Sequence, residues 1–366
     1  LEVCCAYLRA QRSDEKVFWF FFCKKRTRNK IKKENEHMAF DNIKLDKGLY
    51  CVGKSFTQAL EELDPSENYH GTAMEGLDSY ERQLKRFGIR VSGASSDRVE
   101  KFFQNANTAT LFPEFVSRTV KKGLTEASQL ESIVAATTQI DGNDYRSVRV
   151  AGEGASITAE GEEMASTMVR SRDNLVEMNK FGSVLNVTYE TLRLHRIELL
   201  AVMLRKIGVS FAYNLMERAI DALLHGDGSV AEAAPVVNRS GSTLTYADLV
   251  SLWGSFSGFS MGAMITNQTT AQEILALPEL RDGAAGLDFH GSGHLVTPLG
   301  AVLLVNSAVS GNQIIGVDNK SALEMVQAGG VITDYNRLID RQFHRAGIST
   351  TVGFAKIFPD AVRVLA

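Results

Sequence analysis

Apolar positions along the chain change their period as they go. From Ser55 to Gln104 they recur at helical spacing in short pieces. Ser55–Leu63 is amphipathic and stops before Asp64-Pro65, because a residue preceding proline is driven out of the helical region. Asp78–Phe87 places Tyr80, Leu84 and Phe87 on one face. Ser96–Gln104 opens on a serine cap followed by Asp97 and groups Val99, Phe102 and Phe103. Leu111–Gly123 is another predicted helix, with Pro113 near its start, where proline is tolerated.

From Ile133 the pattern turns strand-like. Asp141-Gly142 signals a turn, and Ser147–Val150 and Thr167–Val187 read as strands. Between them Gly152–Ser166 is rich in Gly, Ala and Glu, with acidic residues Glu153, Glu160, Glu162 and Glu163 at the tip. This predicts a long two-stranded excursion with a polar end, which is marginal alone in water and needs a partner surface. The strongest helix follows. Arg196–His225 carries Leu200, Leu204, Ile207, Phe211, Leu215, Ala219 and Leu223 at spacings of three and four, and spans roughly 40 Å at ~1.5 Å per residue. Gly226-Asp227-Gly228 ends it, Gly226 standing where a left-handed cap needs no Cβ.

Beyond Thr243 short helices and strands alternate. Thr245 caps a helix to Phe256, and Thr269–Leu277 is a helix stopped by Pro278. Ala263–Thr266, Ala301–Val305, Gln313–Val317, Ser321–Val326, Val331–Ile339 and Gly347–Phe358 are strand-like. The class is mixed α+β.

Composition narrows the function classes. At 44% apolar and 23% charged residues the chain can bury enough surface to fold. Its 366 residues suggest two or three packed units. No apolar run approaches the roughly 20 residues of a bilayer span. A formal charge of -3 gives no electrostatic reason to expect nucleic-acid binding. The average conceals a break, since residues 1–37 hold ten Lys or Arg against five Asp or Glu and include Cys4, Cys5 and Cys23. A Lys-Glu pair such as Lys33-Glu34 can be encoded by a purine-rich ribosome-binding sequence, three codons before Met38. Residues 1–37 are therefore expected to be upstream sequence read in frame, and Met38 the native start. What remains is more acidic and has Cys51 as its single cysteine, so no disulfide forms within it.

Three constellations invite chemistry. Gly258-Phe-Ser260-Met-Gly262 matches a nucleophile elbow, with Asp288, His290 and His294 downstream. An elbow needs a strand before the serine and a helix after it, and here the predicted order is reversed. His290 and His294 are separated by Gly-Ser-Gly, so no helix presents both to a metal. His225-Gly-Asp-Gly228 follows a helix instead of opening one, and lacks the amide-rich N-terminus that holds anions. No catalytic, cofactor or metal residue is assigned. A serine hydrolase centred on Ser260 is the alternative from another class.

The order of the pieces resembles a major capsid protein of tailed bacteriophages and prophages, with the Hong Kong 97-type fold. The residues that carry it are Leu111-Phe-Pro-Glu-Phe-Val-Ser-Arg-Thr-Val120, Val187-Thr-Tyr-Glu-Thr191, Asn214–Gly228, Gly330–Asp340 and Gly353–Phe358. The resemblance implies an N-terminal arm, a long β-hairpin extended loop, a spine helix in a peripheral domain, and an axial α+β domain. It implies boundaries of 38–110 for a helical region that is scaffold-like or part of the arm, 111–142 for the N-arm, and 143–188 for the extended loop. It implies 189–244 for the peripheral domain, 245–325 for the axial domain and 326–366 for the return to the peripheral sheet. The loop residues Arg149, Glu153, Glu160, Glu162, Glu163, Arg170 and Arg172 would contact a neighbouring subunit. The implied function is a structural, non-enzymatic subunit without cofactor or metal. It would assemble with itself into hexamers and pentamers of an icosahedral head around double-stranded DNA, which it contacts non-specifically. Implied partners are a portal protein, a scaffold or prohead protease and a decoration protein, with no membrane. Assembly would take place in the bacterial host cytoplasm. An encapsulin-like nanocompartment is the alternative within the fold. Some members crosslink a loop lysine to a neighbour's asparagine, but no lysine stands between Asp141 and Asn179, so a non-covalent shell is expected.

Overall fold

A computed structural model of the chain describes residues 43–50, 54–152, 157–164, 166–228, 233–281, 297, 299–338 and 340–366. The expectations for residues 1–37, Met38, Cys51, Glu153, Asp288, His290 and His294 lie outside the described residues. The chain divides into two compact units, one comprising the residues up to Glu114 with Glu190–Leu200, the other Phe115–Tyr189 with Ala201–Ala366.

In the first unit, α1 (Phe56–Leu63) and α2 (Ser79–Arg86) each begin with a capping box, Ser55 with Gln58 and Asp78 with Glu81. Each box satisfies two of the amide groups that a helix start leaves open. Between the helices Arg82 is fully buried. Its guanidinium donates to Asp64 at 2.9 Å, to Glu61 at 3.2 Å and to Ser66 at 2.9 Å, and lies 4.5 Å from the Tyr69 ring centre. A charge this deep is tolerated because its donors are matched by carboxylates. The predicted helix at Ser96–Gln104 is a single 3-10 turn, Val99–Phe103, with no side-chain cap. Asp97 instead accepts from the Arg90 amide at 2.7 Å and the Lys101 ammonium at 2.9 Å, which folds the preceding loop. Helix α3 (Ala106–Ala127) starts five residues before the predicted Leu111, so Pro113 is interior. Asn105 Oδ1 accepts the Thr108 N–H at 2.8 Å and sets that earlier start. Residues at the entrance to the longest helix join this unit: the Ile197 N–H donates to Asp97 O at 2.9 Å, and the Val99 N–H to His195 O at 3.2 Å.

The second unit holds three sheets. One is four-stranded, in the order β1 (Val134–Ile140), β9 (Leu323–Leu338), β10 (Phe343–Lys356), β4 (Met178–Thr188). The second is five-stranded, in the order β5 (Val236–Val237), β11 (Val362–Leu365), β8 (Ile314–Val317), β6 (Ala263–Thr266), β7 (Val302–Val305). The third is a ribbon of β2 (Val148–Gly152) and β3 (Thr167–Ser171). After β4 come the short α4 (Tyr189–Leu194) and the 29-residue α5 (Ile197–His225). Later come α6 (Tyr246–Gly254), α7 (Gln268–Ala276) and α8 (Pro278–Arg281). Pro278 ends α7 as expected, yet it also opens α8, because its fixed φ suits a first helical position. The architecture is α+β.

Two apolar clusters explain why β6 and β8 read as continuous apolar runs. Ala263, Ile265, Ile315 and Val317 pack with Leu215, Met216, Ala219, Ile220 and Leu223 of α5, and with Leu323, Val352 and Phe354. Met264 and Ile314 point the other way, into Leu249, Leu252, Ile274 and Leu303. Side chains alternate across a strand, so a sheet covered on both faces is apolar at every position. Two predicted strands differ in the structure. Thr167–Val187 is not one strand, since residues 172–177 leave the ladder between β3 and β4. Ser321–Val326 and Val331–Ile339 belong largely to one strand, β9, which bulges instead of turning where Gly329 takes a φ of 71°.

Candidate self-assembly surface

The ribbon pairs Val148 with Ser171, Arg149 with Arg170, Val150 with Val169, and Ala151 with Met168. One face therefore carries Val148, Val150 and Val169, the other Arg149, Arg170 and Met168. All are exposed, Val169 at 65% and Met168 at 50%. Like charges directly opposite one another destabilise a strand pair. This pair of arginines sits on a two-stranded element that is already marginal. At the far end Glu162 N–H donates to Ala159 O at 3.1 Å around Gly161, and Glu160, Glu162 and Glu163 all face solvent. Ile157 is fully exposed and Met164 80% exposed beside them.

The base, by contrast, is fixed. The Arg172 N–H donates to Ser147 O at 2.8 Å, Val176 N–H to Tyr145 O at 2.9 Å, and Glu177 N–H to Asp227 O at 3.0 Å. The Arg172 guanidinium donates to the carbonyls of Ile357 at 3.0 Å and Lys356 at 3.4 Å. The Tyr145 hydroxyl donates to Glu324 at 2.7 Å, and Thr138 donates to the same carboxylate oxygen. Burial, followed by the Glu324 carboxylate, pushes the Tyr145 hydroxyl up to about 12, so it remains a donor at any ordinary pH. Arg172, expected to face a neighbour, is thus engaged within its own subunit. No local pattern marks this role, because its acceptors are main-chain carbonyls 184 and 185 residues away. Arg149, Arg170, Glu160, Glu162 and Glu163 do stand exposed together on the hairpin.

The Gly-Asp-Gly segment is a helix end. Gly226 has a φ of 101°, and the buried Asp227 carboxylate accepts the Lys356 N–H at 2.6 Å. The Lys356 ammonium, fully buried, donates to Leu223 O at 3.1 Å. A cation there meets the negative end of the helix dipole.

Helix α5 presents an outer row. Met203, Lys206, Ser210, Tyr213 and Glu217 recur at spacings of three and four and are exposed, with Arg205 beside them. Asp221 continues the row, held by Arg218 and His225, both at 2.9 Å. By length and composition this helix could span a bilayer, with a mean hydropathy of 1.3 in its most apolar stretch. Its apolar face is instead buried in the core of the unit, and the outer row is charged.

No family model matches the sequence, and no curated protein matches it. Solved structures do resemble it. A virus-like particle from Pyrococcus furiosus is 15% identical, with 69% of this chain and 98% of that one covered and a TM-score of 0.47. The capsid of an empty GTA particle is 14% identical, with 65% and 89% covered and a TM-score of 0.47. An encapsulin complex from Synechococcus elongatus is 14% identical, with 63% and 84% covered and a TM-score of 0.43.

Ser260 follows α6 and precedes β6, so helix and strand stand in the reverse of an elbow's order. Its N–H donates to Asp318 at 3.3 Å, which places Ser260 in a turn between the two elements. Among the described residues no three His, Cys, Asp or Glu side chains are grouped to hold a metal ion.

Proposed function

We propose that this chain is a self-assembling shell subunit of the Hong Kong 97 type. It builds the icosahedral head of a tailed phage or prophage around double-stranded DNA. The observation that carries the proposal is the hairpin, whose base is bonded firmly into the subunit while its apolar and like-charged outer part stands exposed among the described residues. Such an element gains its stability from another copy, and an arm laid on the next copy is a heterologous contact that closes into rings and then a shell. In this reading residues 148–171 are the extended loop, narrower than the predicted 143–188 because β4 is part of the four-stranded sheet. Helix α5 is the spine of the peripheral domain, β9 and β10 supply its sheet, and the five-stranded sheet with α6 and α7 is the axial lobe at pentamer and hexamer centres. The role is structural, without catalysis, cofactor or metal, and the shell is non-covalent. Its further partners are a portal protein, a scaffold or prohead protease and a decoration protein. The product is a virion assembled in the bacterial cytoplasm, with DNA held non-specifically.

Sedimentation velocity of the purified chain tests this. The expected result is a population of capsomer-sized or larger particles, and a monomer at all concentrations would refute it.

A further inference from the structure

We infer that Asp141 is a site of spontaneous covalent modification, converting to isoaspartate through the amide of Gly142, while the fold protects the same dipeptide at Asp227. The inference is independent of the shell reading.

Three Asp-Gly pairs stand in the sequence, at Asp141, Asp227 and Asp282. Asp282 lies outside the described residues. The other two share one local chemistry and have opposite surroundings. Asp-Gly is a reactive pair because glycine has no Cβ to shield its amide nitrogen, and its backbone turns freely. In the reaction the Gly142 nitrogen attacks Cγ of the protonated Asp141 carboxyl. A new N–C bond forms, and the amide hydrogen leaves with the carboxyl hydroxyl as one water. The product is a succinimide ring. Water then adds back at either ring carbonyl. Opening at Cγ restores aspartate. Opening at the main-chain carbonyl leaves isoaspartate, whose main chain runs through Cβ. The water lost is regained, so the mass is unchanged, and no oxidant or reductant takes part.

The step needs a carboxyl able to swing over the next amide, and an amide nitrogen open to it. Asp141 offers both. Asp141 and Gly142 are exposed, in a bend just past Ile140, the last paired residue of β1. A Cβ at Gly142 would meet nothing within 4 Å. Among the described residues no hydrogen bond or ion pair holds the Asp141 carboxylate. Asp227 offers neither. It is buried, its carboxylate accepts the Lys356 N–H at 2.6 Å, and its carbonyl accepts the Glu177 N–H at 3.0 Å. A Cβ at Gly228 would lie 3.4 Å from Leu175 O, so that backbone is packed in place. The change also falls at a joint. Residues 141–144 link Ile140, paired with Ala328, to Tyr145, whose hydroxyl holds Glu324 at the hairpin base. Isoaspartate lengthens this link by one backbone carbon and leaves its carboxylate on Cα.

The test uses the full chain, aged at neutral pH and physiological temperature and then digested for mass spectrometry. Trypsin releases Asp141 in the peptide Gly123–Arg146 and Asp227 in the separate peptide Ala219–Arg239. The expected result is a second form of Gly123–Arg146, of identical mass and different retention, that grows with time and accepts a methyl group from protein isoaspartyl methyltransferase. Ala219–Arg239 stays single in the folded chain and gains its own second form when the chain is aged unfolded in urea. Gly142→Ala, with open space for its Cβ, should slow the change in Gly123–Arg146 several-fold, while far-UV circular dichroism stays that of the parent. A Gly123–Arg146 peptide that stays single overturns the inference. So does a folded chain in which both peptides change at equal rates, an unfolded chain in which Ala219–Arg239 stays single, or a folded G142A chain that changes as fast as the parent.

Discussion

The Arg172 guanidinium donates to the carbonyl of Ile357 over 3.0 Å, tying the outgoing strand of the ribbon to the segment just beyond β10. That bond, with its weaker companion to Lys356, makes Arg172 a positioning residue for the hairpin. Replacing Arg172 with Ala removes charge-assisted hydrogen bonds worth about 1.5–3 kcal/mol. The expected outcome is a folded subunit with a lowered melting temperature whose particle yield falls far more than its stability does. Lys in its place keeps the charge but not the guanidinium's fixed donor geometry, and should restore melting better than assembly. Unchanged particle yield for R172A would remove the hairpin base from the account.

Gly208 of α5 packs on α3 so closely that a Cβ there would overlap the Val120 carbonyl oxygen, and one at Gly123 would overlap Arg205 O. Helix propensity alone favours alanine over glycine by about 1 kcal/mol. The obstructing atoms are backbone, which cannot swing aside, so overpacking of about 1–3 kcal/mol decides the sign. Chemical denaturation should show Gly208→Ala destabilised, while Gly241→Ala, with open space around it, stays within about 0.5 kcal/mol of the parent.

His344 is buried against Tyr335 and Tyr189, and the Arg337 guanidinium lies 5.1 Å from the Tyr189 ring centre. Burial holds its pKa below the ordinary value of 6.5. The unfolded chain then takes up this proton first as pH falls. The stability from keeping His344 neutral is full above about 6.5 and is lost as pH drops below it toward the folded pKa. Melting temperatures between pH 8 and 5.5 should fall more steeply for the parent than for His344→Phe. Parallel curves would contradict the assignment.

The first unit bears on whether residues before 105 remain in a particle. Asp97 O and the Val99 N–H are hydrogen-bonded to Ile197 and His195 at the entrance to α5, inside one compact unit. Buried backbone groups that lose such partners cost about 1–3 kcal/mol each. Peptide mapping of assembled particles should therefore recover residues 54–105 at the same level as those of α5. Particles lacking them would show that a protease removes this region.

Much of this was legible in the sequence because it depends on local rules. The caps at Ser55, Asp78 and Thr245, the 29-residue helix and its glycine stop, and the buried β6 all follow from spacing and capping chemistry. The acidic tip was legible too, as a cluster of Glu in a segment rich in Gly and Ala. What was hidden is non-local. Pro113 looked like a helix start until Asn105 was seen to cap earlier. The run Thr167–Val187 looked like one strand because nothing local marks the departures to Tyr145, Ser147 and Asp227 that divide it. Arg172 looked like its neighbour Arg170, and only the position of Ile357 separates their roles. The helix row from Met203 to Glu217 was read for its buried side, and its exposed side became visible only once the core had chosen its face.

The central claim is that this chain builds a shell from copies of itself. Negative-stain electron microscopy of the purified full-length protein tests it most directly. Closed shells or five- and six-membered rings are expected. Fields of dispersed single subunits, at concentrations where the protein is folded and soluble, would contradict it.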